Sequence, residues 1–94
     1  MRATAIRWAS GDFPGWIEAA VLDSRRQEHR ILEKVPVLTP LSITHDSPFP
    51  VEFWIDAEMT AINGDEVAVS FSHGVQTTDG ACELVVSTAD VIWL

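Results

Sequence analysis

Few residues in this 94-residue chain could do chemistry: three histidines, one cysteine, and fourteen carboxylates against six bases. His45-Asp46-Ser47 sets an imidazole, a carboxylate and a hydroxyl in succession. Hydrolysis by such a trio requires the side chains to converge in a fixed hydrogen-bond order, which adjacency in sequence does not supply. The tripeptide is therefore expected to be an Asp-Ser-Pro turn carrying a solvated histidine. Cys82 has no second cysteine to bridge and no Cys or His at zinc-ligand spacing, so it is expected to be a small core residue with no basic partner to form a thiolate. His-x-x-x-His pairs, calcium-loop spacing and a Gly-rich phosphate loop are all lacking, and the expectation is a chain with no catalytic residue, no metal and no cofactor.

His73 and Trp54 stand apart from this group. Strand register puts His73 on an apolar face near Ile55 and Val86, where a neutral imidazole needs a hydrogen-bond partner and could line a pocket. On the opposite face the same register builds rows: Glu52 with Gln76 and Glu83, Trp54 with Gly74 and Val85, and Asp56 with Ser72 and Ser87. An indole flanked by Glu52, Asp56 and Glu83 is a shallow site for a cation-bearing or planar group, unless the basic N-terminal segment covers it.

The elements that must position these residues follow from hydrophobic period. Between Val51 and Ala61 every odd position is apolar, while the even positions are Glu52, Trp54, Asp56, Glu58 and Thr60, which marks a half-buried strand. Asn63-Gly64 announces a hairpin into Val67, Val69 and Phe71. A two-residue Asn-Gly loop would put the two apolar faces on opposite sides. Either the loop is Asn63-Gly64-Asp65, pairing Ala61 with Val67, Met59 with Val69, Ala57 with Phe71 and Ile55 with His73, or a β-bulge restores the phase. A two-residue loop at Asp79-Gly80 then pairs Val75 with Leu84, Thr77 with Cys82 and His73 with Val86. The result is an antiparallel meander over 51–62, 66–78 and 81–87. Ser87 to Asp90 reads as a brief turn before a short final strand, Val91 to Leu94.

Upstream, residues 2–8 alternate and read as a strand. Residues 16–35 admit a helix or a hairpin whose arms, Trp16 to Leu22 and Glu28 to Val37, flank Asp23-Ser24-Arg25-Arg26-Gln27. The helix would bury Glu28 in the middle of its apolar stripe at a cost of several kcal/mol, so the hairpin is preferred. Four of the five prolines fall between Pro36 and Pro50, making Val35 to Pro50 a long extended connection with Leu38, Leu41, Ile43 and Phe49 as anchors. The expected fold is all-β: one domain, a small antiparallel barrel or rolled sheet of six or seven strands.

Charge then bounds function. All six bases lie within residues 2–34, beside five acids, whereas residues 35–94 hold nine acids and no Lys or Arg. A net charge of −8 argues against nucleic acid. No apolar run is long enough for a bilayer or a signal peptide, which points to a cytoplasmic chain off the membrane. Either the two segments neutralise one another, or the acidic part meets a cationic partner. The leading expectation is a non-enzymatic acidic interaction module that binds a protein partner or a second copy of itself through the sheet face carrying Trp54. One version is an inhibitor or immunity-type protein against a basic enzyme. The rival is a small-ligand barrel or minor enzyme with a pocket near His73 under the Pro-rich connection.

Overall fold

Alternation in the first strand sends Ala3 and Ala5 inward and Arg2 and Thr4 outward, and the rest of the first sheet is built on that strand. In a computed structural model, which describes residues 1–92, β1 (Arg2–Ser10) pairs on one side with β2 (Trp16–Leu22), itself paired with β3 (Glu28–Lys34), and on the other with β4 (Val51–Trp54). A second antiparallel sheet runs β5 (Ala57–Asn63), β6 (Glu66–Phe71), β7 (Glu83–Ser87). Ile17, Ala19, Val21 and Ile31 of the first sheet share one core with Val67, Val69, Phe71 and Val86 of the second. The fold is all-β, with 49% of residues in strands.

Residues 16–35 form the hairpin, and Glu28 is exposed, as the cost of burying it requires. Its turn is held by Asp23, whose Oδ1 accepts from the N–H groups of Arg25 (2.8 Å) and Gln27 (2.9 Å). The second arm stops at Lys34, short of Val37. Pro36 lacks the N–H that a ladder needs but suits the first turn of a helix, and Val35–Leu38 forms one helical turn (α1). Leu38 of this turn is buried, and the connection beyond it buries Ile43 and half-buries Phe49, while the fourth expected anchor, Leu41, is exposed.

The expected meander differs in three places. The strand over 51–62 is divided at Ile55-Asp56. Ile55 is buried and its N–H donates to the Met1 carbonyl in line with β1, whereas the Asp56 carbonyl accepts from Ser72 in line with β6. Phe53, Ile55 and Ala57 stay inward across the change of neighbour, so the period holds there while the sheet is divided. Second, β6 ends at Phe71 instead of residue 78, because His73 (φ 62°) and Gly74 (φ 72°) are successive left-handed residues that no ladder accommodates. Third, Asp79-Gly80 does turn the chain, with Gly80 N–H donating to the Thr77 carbonyl, but the turn closes a loop that inserts Val75 into the core. The returning strand starts at Glu83, not at residue 81, and Val86 pairs with Val67 and Leu84 with Val69. The expected pairs of Val86 with His73, Leu84 with Val75 and Cys82 with Thr77 are thus each displaced or absent, and Cys82 is exposed instead of core. The displacement along β6 is an even number of residues, so Val86 keeps its inward face.

At the β5–β6 hairpin the turn is Gly64-Asp65, one residue later than an Asn-Gly loop, and the bulge, not a three-residue loop, restores the phase. Asn63 pairs with Glu66 and Ala61 with Ala68, and a register shift at Thr60 restores Met59 opposite Val69 and Ala57 opposite Phe71. Because residues 51–63 serve both sheets in turn, the whole is a rolled sheet. Its far edges are joined by single bonds, Ser24 N–H to the Val85 carbonyl and Thr78 N–H to the Arg30 carbonyl, and the barrel is not closed. A 3₁₀ turn, Thr88–Asp90, is capped by the Ser87 hydroxyl. Val91 and Ile92 form no strand, and the rest of the expected final strand lies outside the described residues.

Candidate functional site

Phe53 and Ile55 are committed to the core, so β4 and the residues after it must turn Trp54 and Asp56 outward. The left-handed pair His73-Gly74 swings the imidazole out of the sheet, and His73 Nε2 lies 3.3 Å from Asp56 Oδ2. His73 is therefore exposed, not on the apolar face beside Val86. Pro36, Val37, Leu38, Thr39 and Pro40 form the opposite wall of a groove of about 460 Å³ that Trp54, Asp56 and His73 line. Trp54 is 41% exposed, and the Arg2 guanidinium sits 5.4 Å from the indole centroid. Asp56 also acts on the Met1 amino group, which burial holds below its ordinary range while the Asp56 charge pulls it back up. The groove offers an aromatic surface, one carboxylate and one imidazole. Its hydroxyl, on Thr39, is buried and accepts the Leu41 N–H, and among the described residues it makes no hydrogen bond to His73 or Asp56.

Glu52 and Glu83 do not join this group, and the expected rows through Gly74, Gln76 and Ser87 do not form. Glu52 lies opposite Thr4 on the outer face of the first sheet. Glu83 belongs to the second sheet, in the row Glu58, Ser70, Glu83 on its outer face. The next row on that face is Ala61, Ala68, Val85, and the one after is Asn63, Glu66, Ser87. Three carboxylates thus frame a strip of small apolar side chains. The β2–β3 turn overhangs one side of it: Ser24 Oγ donates to Glu66 Oε2 (2.7 Å), and a groove of about 490 Å³ opens between Arg25, Gln27 and His29 above and Glu66, Glu83 and Val85 below.

The chain matches no family model, no curated protein and no solved structure. What the site can do must therefore come from its own electrostatics. Three bases are engaged within the first sheet: Arg30 donates to Glu18 (2.7 Å) and Glu28 (3.0 Å), Arg7 to Glu18 (3.3 Å), and Lys34 lies over the Trp16 ring, whereas Arg25 and Arg26 of the β2–β3 turn make no salt bridge among the described residues and Arg25 lines the groove opposite Glu66 and Glu83. Glu28 and Glu18 together raise the Arg30 pKa. Of the nine acids in the second part, Asp90, 3.7 Å from Arg2, is the one that meets a Lys or Arg among the described residues.

His45 and Asp46 lie 3.3 Å apart, both exposed, while Ser47 Oγ accepts the Thr44 N–H (2.9 Å), so the tripeptide is a turn. Among the described residues no three His, Cys, Asp or Glu side chains gather as metal ligands, and no helix is long and apolar enough to cross a membrane. Sequence reasoning missed the stacking of Arg2 on Trp54 and the Ser24–Glu66 bond. These join residues far apart in the chain, and no local pattern announces them. It also missed His29 on Asp23 (2.9 Å), for which the Asp-x-x-x-Gln turn followed by His was a usable signal.

Proposed function

We propose that this chain is a non-catalytic interaction module that binds a basic protein partner through the acidic outer face of its second sheet. The observation that carries the reading is that the acids of residues 35–92, Asp90 apart, have no Lys or Arg within salt-bridge distance among the described residues, while Arg7 and Arg30 are bound to acids of the first sheet. Glu58, Glu66 and Glu83 around Ala61, Ala68 and Val85 supply a charged rim and a small apolar centre, the anatomy of a modest protein interface. Electrostatic complementarity of this kind steers encounter and excludes acidic partners. Inhibition of a basic enzyme is one version of the same chemistry.

The test is parallel capture from the source cells by the natural chain and by a Glu58→Gln, Glu66→Gln, Glu83→Gln variant. The expected result is a basic partner that elutes between about 0.05 and 0.5 M salt and is retained about tenfold less by the variant. A partner held equally by both, or insensitive to salt, would refute the reading. A second reading rests on the groove itself: Trp54, Asp56 and His73 beneath Pro36–Pro40 form a site for a small planar or cationic ligand. Ligand density lying against Trp54 in a crystal structure of the natural chain is the result that would favour it.

A further inference from the structure

We infer that the partner engages the second sheet by strand addition, an extended segment of alternating apolar and basic residues lying along the free edge of β5. The inference rests on the acidic-face reading and specifies its mode. Among the described residues β5 pairs with β6 alone, so its outer edge carries unpaired backbone groups over its length. The other long edges are partly taken, since β7 accepts the Ser24 N–H at Val85 and β3 accepts the Thr78 N–H at Arg30.

The bulge at Thr60 decides what that edge presents. Met59 and Ile62, three residues apart, would fall on opposite faces of a regular strand; with the extra residue both turn to the inner face, opposite Val69 and Val67. Val67 and Val69 are 1% and 2% exposed, yet Met59 and Ile62 remain 50% and 58% exposed. The apolar layer is covered as far as β6 and left open at β5. A strand added about 4.8 Å beyond β5 sets its inward side chains against Met59 and Ile62 and closes that layer.

Its outward side chains meet Glu58, the end of the row that continues through Ser70 to Glu83. A Lys or Arg in that row stands about 5 Å from the Glu58 position, where an opposite-charge cross-strand pair is stabilising and a carboxylate is not. Charge also argues against a second copy of the chain as the occupant, because two chains of −8 would be brought edge to edge with no base in either β5.

The test uses the full chain and two synthetic peptides of about eight residues, one alternating Val and Lys and the other Val and Glu, with residue-resolved amide hydrogen exchange. The expected result is that the Val/Lys peptide slows exchange within residues 57–63 by about tenfold and the Val/Glu peptide does not. Glu58→Lys, exposed and so compatible with folding, is expected to abolish the effect. Met59→Asn with Ile62→Asn, which leaves every acid of the face in place, is expected to do the same. Capture of a basic partner that needs Glu66 and Glu83 but leaves the 57–63 amides unprotected overturns strand addition and leaves the acidic-face reading standing. Protection of those amides that rises with the concentration of the chain alone assigns the edge to a second copy and overturns the inference. Failure to bind either the peptide or any salt-sensitive basic partner removes both.

Discussion

Gly15→Ala is the substitution whose cost the structure defines most closely. Gly15 has φ +98°, a backbone conformation that a residue with a Cβ rarely adopts, at about 1–2 kcal/mol. The added methyl carbon would lie 2.3 Å from Trp8 Cη2 and 2.8 Å from Cζ2, so the indole must retreat by an ångström or more. Neither side gives way easily. The Gly15 N–H donates to the Asp12 carbonyl and its own carbonyl accepts the Val35 N–H (3.0 Å), while the Trp8 ring packs against the core and meets His45 edge-on at 6.2 Å. Overpacking of this kind costs a further 1–3 kcal/mol or so, giving about 2–5 kcal/mol in total. A chain this short has about 5–14 kcal/mol to lose, and each kcal/mol lowers Tm by about 4–8 °C. Urea and thermal melts followed by tryptophan fluorescence are therefore expected to show a fall of at least 10 °C or so. The double variant Trp8→Ala, Gly15→Ala separates the two costs, since removing the ring should recover about 1–3 kcal/mol of coupling. A Gly15→Ala chain within about 0.5 kcal/mol of the natural one, or strict additivity in the cycle, would refute the steric account.

Three further outcomes are expected. Trp54→Ala should keep its circular dichroism and lose only about 1–2 kcal/mol in a urea melt, because the ring is already two-fifths exposed and its best-defined partner is the Arg2 cation; a loss above about 4 kcal/mol would make Trp54 a core residue. The Asp23 carboxyl is held below its ordinary range, first by the His29 hydrogen bond and then by the Gln27 and Arg25 N–H groups. Its folded pKa is the lower one, so its contribution to stability is complete above the ordinary carboxylate range and is lost as pH falls through the folded value; Asp23→Asn should destabilise the chain at neutral pH and flatten that acid limb in pH-dependent melts. Glu58→Gln, Glu66→Gln, Glu83→Gln should leave stability within about 0.5 kcal/mol or raise it slightly in the same melts, since it removes exposed like charges and no core contact.

The sequence revealed faces more securely than neighbours. The period of two from Val51 to Ala61 correctly turned Trp54 and Asp56 outward and Phe53 and Ile55 inward, because one side of that stretch is buried around those residues, but it put Ala61 on the wrong face because the bulge at Thr60 reverses the phase. Alternation carries no information about which strand lies alongside. The exchange of β1 for β6 at Ile55-Asp56 was therefore invisible, and Glu83 was placed beside Glu52 when it belongs to a different sheet. The hairpin over 16–35 was legible through one electrostatic argument, the cost of burying Glu28. His73 was not, because its neighbours suggested a continuing strand, and Gly74 after it was a better indicator of a left-handed break than the apolar residues flanking it were of a ladder. The bulge at Thr60 was accessible as an alternative, though for a loop at Asn63-Gly64; the turn forms one residue later, at Gly64-Asp65.

The division of charge along the chain acquires a different meaning once the pairs are known. A basic first part and an acidic second part suggest mutual neutralisation, yet Arg7 and Arg30 are bound to Glu18 and Glu28 within their own sheet and Lys34 rests on Trp16. Among the described residues Arg2 alone makes a salt bridge to the second part, its guanidinium shared between Trp54 and Asp90, while Arg25 lines the groove that faces Glu66 and Glu83. Such exposed pairs are individually weak, at most about 1 kcal/mol, so packing of Ile17, Val21 and Ile31 against Val67 and Val86 must hold the two sheets together. Cohesion of the fold is thereby independent of the carboxylates of the second sheet. Glu58 and Glu83 make no salt bridge among the described residues, Glu66 accepts one hydrogen bond from Ser24, and together they leave a negative field beside an edge strand whose apolar side is half open. Those two properties coincide on β5 and β6, and that coincidence, more than net charge, is the reason to look for a basic strand there.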